Sequence, residues 1–242
     1  MRSILFIILF AAAVTACAPK QEAATEAQAP NTLTEAQKAE GWELLFDGQT
    51  LNGWRSYQNR EQNCWEVADG ALHCKSKQDS TSDKRSDLLT TEQYGNYELS
   101  FEWKISEGGN SGVIYRATEE FDAPYYSGPE YQVIDDVGYK GDLTELQKAG
   151  ADYDMYPADG KTINGPGEWN QGKIVVNGNH CEHWVNGKKV VEYEFGSEDW
   201  LKRKEASKWK DAAGYGASAT GHIDFQDHDH EVWYRSIMIK KL

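Results

Sequence analysis

The segment Tyr97-Glu98-Leu99-Ser100-Phe101-Glu102-Trp103-Lys104-Ile105 alternates large apolar residues with polar ones along its whole length. Successive side chains of a strand point to opposite faces, so this pattern makes a long strand with one buried face. The same period continues elsewhere. Trp233, Arg235, Ile237 and Ile239 recur at every second position of a final strand. Val185-Asn186-Gly187-Lys188 is an Asn-Gly hairpin turn between strands at 180–185 and 188–193. Shorter strands are predicted at 42–46, 65–67, 72–75, 88–90, 112–116, 130–135, 173–176 and 222–227. Helical signals are few: one turn at 35–40 behind a Thr34 cap, and 199–209 behind Ser197, where Trp200, Arg203, Lys204 and Ser207 fall at helical spacing. No repeat of 20–50 residues is visible. Many strands and tight turns argue an all-β sandwich of two antiparallel sheets. The irregular stretch 138–169 reads as a functional loop bordering a binding face.

The N-terminus carries an address. Arg2 precedes an uncharged apolar run at 4–14, shorter than the roughly 20 residues a membrane span needs. It fits the core of a signal peptide. Val14-Thr15-Ala16-Cys17 resembles a lipobox, which makes 1–16 a signal peptide and Cys17 the lipidated mature N-terminus. Two or more acyl chains give stable anchoring. Residues 18–33 (APKQEAATEAQAPNTL) lack aromatics and cannot bury enough apolar surface to order themselves, so 17–33 reads as lipidated Cys plus flexible tether. Ala18, in place of Asp, favours the outer membrane by the same resemblance, with the domain facing the periplasm or the surface. Residues 34–242 suit a single domain. The net charge of −14 argues against nucleic acid as a partner. The 9 Trp and 13 Tyr suit both a core and sugar stacking.

Cys64 and Cys74 flank a hairpin. A three-residue loop at Ala68-Asp69-Gly70 places them opposite each other, where a disulfide is expected. A two-residue Asp69-Gly70 turn offsets them by one and leaves two thiols. Cys181 reads as a buried small hydrophobe.

Four segments concentrate polar groups on strands: 109–116, 128–135, 179–187 and 221–228. By alternation Glu130, Gln132 and Ile134 share one face, and Tyr131, Val133 and Asp135 the other. His222, Asp224, Gln226 and His228 share a face, while Ile223 and Phe225 point into the core. If the strands at 112–116, 130–135 and 222–228 are neighbours, Arg116, Glu130, Gln132, Gln226 and His228 converge on one polar face. Such a face, with aromatics, suits a sugar. Each residue has a structural alternative: a Glu130–Arg116 ion pair, a satisfied half-buried His183, Asp135-Asp136 as turn residues, and Trp184 and Trp233 in the core. No strong metal motif, Gly-x-Ser-x-Gly elbow or phosphate loop is present in the sequence.

In order, GWELLFDGQTLNGW, YELSFEWKISEGGNSGVIYR, GPEYQVIDD, GEWNQGKIVVNGNHCEHWVNGKKVVEYE and GHIDFQDHDHEVWYRSIMIKKL resemble the 3-keto-disaccharide hydrolase family over 41–242. The resemblance implies a concanavalin-A-like jelly-roll and cleavage of glycosides whose C3 hydroxyl is oxidised to a ketone. It carries over onto Asn110, Ser111, Gly112, Arg116, Glu130, Gln132, Asp135, His183, Trp184, Gln226, Asp227, His228, Trp233 and Arg235. Cys181 and Asp152 depart from it, each standing where relatives are mostly apolar. The implied roles are Glu130 or His183 as base or acid and Arg116 or His228 as enolate stabiliser. Asn110, Ser111, Gln132, Asp135, Trp184 and Gln226 are implied substrate ligands. No cofactor is required, and the architecture is compatible with calcium or another divalent ion. The partner is a small-molecule glycoside; no signal sets an oligomeric state. The alternatives are a non-catalytic carbohydrate-binding lipoprotein and a jelly-roll glucanase or lyase acting on unoxidised polysaccharide.

Overall fold

The computed structural model describes residues 28–242. The signal segment and Cys17 lie outside the described residues. Within the stretch read as a tether, Asn31 lies on the domain: its Nδ2 donates to Gly70 O (2.8 Å) and its Oδ1 accepts from Ser236 N (2.8 Å).

The described strands are β1 (Trp42–Leu44), β2 (Trp54–Ser56), β3 (Trp65–Ala68), β4 (Ala71–Cys74), β5 (Leu88–Thr90), β6 (Tyr97–Ile105), β7 (Asn110–Ala117), β8 (Glu130–Ile134), β9 (Asn170–Asn177), β10 (His180–Val185), β11 (Lys188–Glu194), β12 (His222–Phe225) and β13 (Val232–Lys241). The helices are α1 (Glu35–Ala39) and α2 (Glu198–Ala206). An eight-stranded sheet runs β11-β10-β9-β6-β13-β4-β3, with β1 also on β13. A five-stranded sheet runs β2-β5-β12-β7-β8. All pairings are antiparallel, and the two sheets form the sandwich that the alternation implies, with the jelly-roll architecture that the family resemblance implies.

β6 is central because both its edges are paired, to β9 and β13. Its alternate residues Tyr97, Leu99, Phe101, Trp103 and Ile105 are buried. Phe101 crosses to the other sheet and meets the Tyr131 ring edge-on at 5.4 Å. Gly172, opposite Phe101, makes room for it: a Cβ there would lie 2.4 Å from the ring. Truncating such a core aromatic to Ala costs about 3–5 kcal/mol. The Asn186-Gly187 turn has φ of 47° and 80°, the left-handed pair that a tight hairpin needs.

The β3–β4 hairpin corrects one expectation. Ala68 pairs with Ala71 and Trp65 with Cys74, so the turn is the two-residue Asp69-Gly70, with φ of 49° and 73°. The cysteines are one position out of register, and the structure has Cys64 and Cys74 as free thiols rather than a disulfide. Both donate to Asp227, at 3.7 and 3.6 Å. Cys181 is buried, as expected.

Candidate active site

β12, β7 and β8 are neighbours, and their register lays out the outer face of the five-stranded sheet. Ile114 stands between Glu130 on one side and Asp224 on the other. One rung along, Gly112 pairs with Gln132, and its carbonyl accepts from Gln226 N at 2.9 Å. Ile223, Phe225, Tyr131 and Val133 point the opposite way, into the core.

Gly112 is the low point of this face. A Cβ there would lie 2.2 Å from Glu130 Oε1, so the Glu130 carboxyl rests over the glycine. Above it opens a cavity of about 390 Å³. Its floor is Asn110, Glu130, Gln132, Gln226 and His228. Its walls are Tyr125 and Tyr126, Tyr153 from the long loop, and Lys208 and Trp209 from the segment after α2. A second depression of about 290 Å³, lined by Arg60, Arg85, Asp87 and Asp227 among others, shares His228 with it.

The polar floor is only partly satisfied internally. Asn110 Oδ1 and Gln226 Oε1 are buried without a partner among the described residues, as are both oxygens of Asp224 beneath. Buried polar groups are normally paired, so unpartnered amides in two residues that line a cavity mark a floor that a ligand's hydroxyls can complete once those side chains turn. Gln132 is otherwise engaged: its Nε2 donates to Gln147 O (3.2 Å) and its Oε1 accepts from Val133 N (3.1 Å). Burial pushes the Glu130 carboxyl up to about 8; Lys208 opposes the shift, and Asp87 and Asp152 add to it. Asp224 is pushed well above the carboxylate range by burial, with Asp87 and Glu130 adding repulsion. The His228 imidazole is lowered by partial burial. A carboxyl titrating near neutrality beside a substrate-sized cavity has the properties of a general base.

Of the ten residues given catalytic or substrate-binding roles from the sequence, Asn110, Glu130, Gln132, Gln226 and His228 meet in this cavity, and the other five do not. Arg116 is turned away by a bulge. His222 pairs with Ala117 but Asp224 with Ile114, so β7 carries an extra residue, and Arg116 sits at φ 56°. Its guanidinium donates to Gly178 O and lies 4.0 Å from the centre of the Phe195 ring. His183 is 0% exposed, between the sheets. Its Nε2 is 2.8 Å from the Tyr115 hydroxyl and its Nδ1 3.1 Å from Gly150 O. Burial lowers it to about 4, which makes it a neutral core histidine. Ser111 also faces inward, with Oγ 2.7 Å from Gln226 O. Asp135 closes a turn by accepting from Gly108 N (2.8 Å) and Val137 N (3.1 Å). Trp184 lies on the far face of the larger sheet, its Nε1 donating to Glu182 (2.7 Å) and Lys173 Nζ 3.9 Å from its ring centre.

Two groups elsewhere have metal-like clustering. Cys64, Cys74 and Asp227 lie within 4.8 Å of one another, as do His180, Glu182 and Glu192. Arg85 already ion-pairs with Asp227 in the first, and Lys189 binds both glutamates of the second. Neither group is in the cavity.

An antiparallel sandwich with a polar, aromatic-walled cavity on one sheet suits a carbohydrate ligand. Residues 41–240 match the family described as the 3-keto-alpha-glucoside-1,2-lyase-like domain, and the chain belongs to that family. It is 34% identical over 231 residues to the 3-keto-disaccharide hydrolase of Bacteroides thetaiotaomicron, covering 84% of this chain and 79% of that protein. It is similar to the crystal structure of a candidate glycosyl hydrolase from Parabacteroides distasonis, with 38% identity and a TM-score of 0.81 over 88% of this chain and 100% of that one. The carbohydrate binding module CBM66 from Bacillus subtilis shares the fold, with 11% identity and a TM-score of 0.50 over 78% and 96% of the two chains.

Proposed function

We propose that this protein cleaves 3-keto-glycosides, with Glu130 as the base that takes the C2 proton. A ketone at C3 acidifies the C2–H bond. Removing that proton gives an enolate, which expels the aglycone from C1; water then adds to the enone and completes net hydrolysis. Such a route needs one base rather than the two-carboxylate pair of an ordinary glycosidase. The observation that carries this reading is the Glu130 carboxyl. It rests over Gly112 in the cavity, hydrogen-bonded to no described residue and pushed up to about 8. A positioned base contributes about 10²–10⁴-fold.

His228 borders both depressions, so a glycoside spanning them carries its glycosidic oxygen past the imidazole. We assign its N–H to that leaving oxygen. The amides of Asn110 and Gln226, once turned, take sugar hydroxyls.

The test is incubation with a 3-keto-glucoside and with its unoxidised parent. Release from the keto form alone, lost in Glu130→Gln, supports the proposal. Binding without release would support a lectin instead, and release from the parent a glucanase. Lipidation of Cys17 would place this step at the cell envelope. Cys17→Ser is then expected to shift the protein from the membrane to the soluble fraction.

A further inference from the structure

The enolate formed by this reaction is stabilised by a donor or a cation at the C3 oxygen, and Arg116 does not reach the cavity. Among the described residues lining it, Lys208 is the one lysine or arginine. We propose that Lys208 holds the C3 oxygen as it becomes an enolate, an ammonium on one side of Glu130 while His228 stands on the other. This rests on the keto-glycoside reading above and adds the group that reading lacks.

The geometry is built rather than incidental. Lys208 N donates to Asp154 Oδ2 (2.8 Å), and the neighbouring Trp209 Nε1 donates to Tyr153 O (3.0 Å). Tyr153 N in turn donates to Glu130 O (3.0 Å), and Asp152 bridges to Tyr131. The same short stretch of loop therefore fixes both Glu130 and Lys208. The Nζ lies 4.0 Å from the centre of the Tyr153 ring and 4.2 Å from that of Trp209. Two aromatic faces attract the ammonium and restrict a flexible side chain; burial lowers the lysine, and the neighbouring Glu130 and Asp154 charges oppose that shift. Nζ has no hydrogen-bond acceptor among the described residues, so its donors are available to a ligand.

The order across the sheet matches the order of atoms in the sugar. Lys208 is held by the loop beyond β8, Glu130 is on β8, and His228 follows β12 on the other side of β7. C3, C2 and C1 of one ring would meet an ammonium, a carboxylate and an imidazole in that sequence. A compact cation aimed at developing charge is worth more in the transition state than in the ground state.

The test separates enolate formation from aglycone release. The 3-keto derivative of 1,5-anhydroglucitol has hydrogen in place of the aglycone. In D2O its C2–H can exchange, and exchange at C4 reports the uncatalysed rate in the same sample. Wild-type protein should wash out the C2 signal by NMR. Lys208→Met should slow that exchange by about 10²–10³-fold, and Lys208→Arg, which keeps the charge, should recover part of it. Wild-type exchange in Lys208→Met would overturn the role of Lys208 and leave the keto-glycoside reading standing. A covalent adduct on Lys208 after borohydride reduction with the ketone would overturn it too, because the amine would then act as a nucleophile. If wild-type protein neither exchanges C2–H nor releases aglycone from a 3-keto-glucoside, both proposals fall.

Discussion

Gly112→Ala tests the site with a single methyl group. The position is free of backbone strain, because Gly112 is not among the residues with positive φ. The added Cβ would stand 2.2 Å from Glu130 Oε1, 2.7 Å from Cγ and 2.8 Å from Cδ. Real Cβ contacts do not fall below 3.0 Å, so the carboxyl must retreat by roughly 1 Å. A misplacement of that size can cost about 10²-fold in rate. Stability should change less, because the cavity above gives the carboxyl somewhere to go; overpacking typically costs about 1–3 kcal/mol, and the low end applies here. The assay is kcat and KM on a 3-keto-glucoside, with thermal unfolding in parallel. kcat should fall about 100-fold, with KM changing little. Groups that act as a unit are not additive, so Gly112→Ala should cost almost nothing further in a Glu130→Gln background. A folded Gly112→Ala protein with wild-type kcat would refute the reasoning, since chemistry would not depend on where that carboxyl sits.

Glu130 also makes stability depend on pH. Its ordinary value of 4.5 is raised to about 8 in the fold, so the native chain keeps a proton that the unfolded chain releases. Stability should fall as pH rises through that window. Urea midpoints should show Glu130→Gln gaining on wild type between pH 5 and pH 8; parallel curves would contradict the shift. His183→Leu removes the partner of Gly150 O and should cost about 1–3 kcal/mol in urea unfolding, with kcat of the folded fraction unchanged. Arg116→Met should behave likewise, losing stability but not kcat, and a collapse in kcat would return Arg116 to the chemistry. Gln226→Leu removes an amide from the floor and should raise KM by about 2–10-fold, the equivalent of the roughly 0.5–1.5 kcal/mol of one hydrogen bond.

The half of the site on regular strands was legible in the sequence. Period two sorts 130–134 and 222–225 into faces, and neighbouring strands need only stay in register for Glu130, Gln132 and Gln226 to meet. Where register breaks, the reading breaks with it. The extra residue in β7 rotates Arg116 out of alternation, and nothing in GVIYRA announces it. The same sequence at 68–70 fits a two- or a three-residue turn, and the choice decides whether Cys64 faces Cys74. His183 was within reach: Cys181, read as core, lies two residues away on the same strand, so His183 shares its inward face.

Lys208 carries no local signal. Helical spacing extends to Trp209, yet α2 stops at Ala206, where Ser207 turns extended with φ −95° and ψ 175°. What places the ammonium over the cavity is a hydrogen bond to Asp154, 54 residues away, and two rings from different segments. Strand alternation is a property of a few neighbouring residues, so it shows in the sequence. The walls depend on how the 138–169 loop and the segment after α2 pack together. A wall residue is therefore found by asking which cation the packed loops bring to the base, and a base over Gly112 leaves Lys208 as that cation.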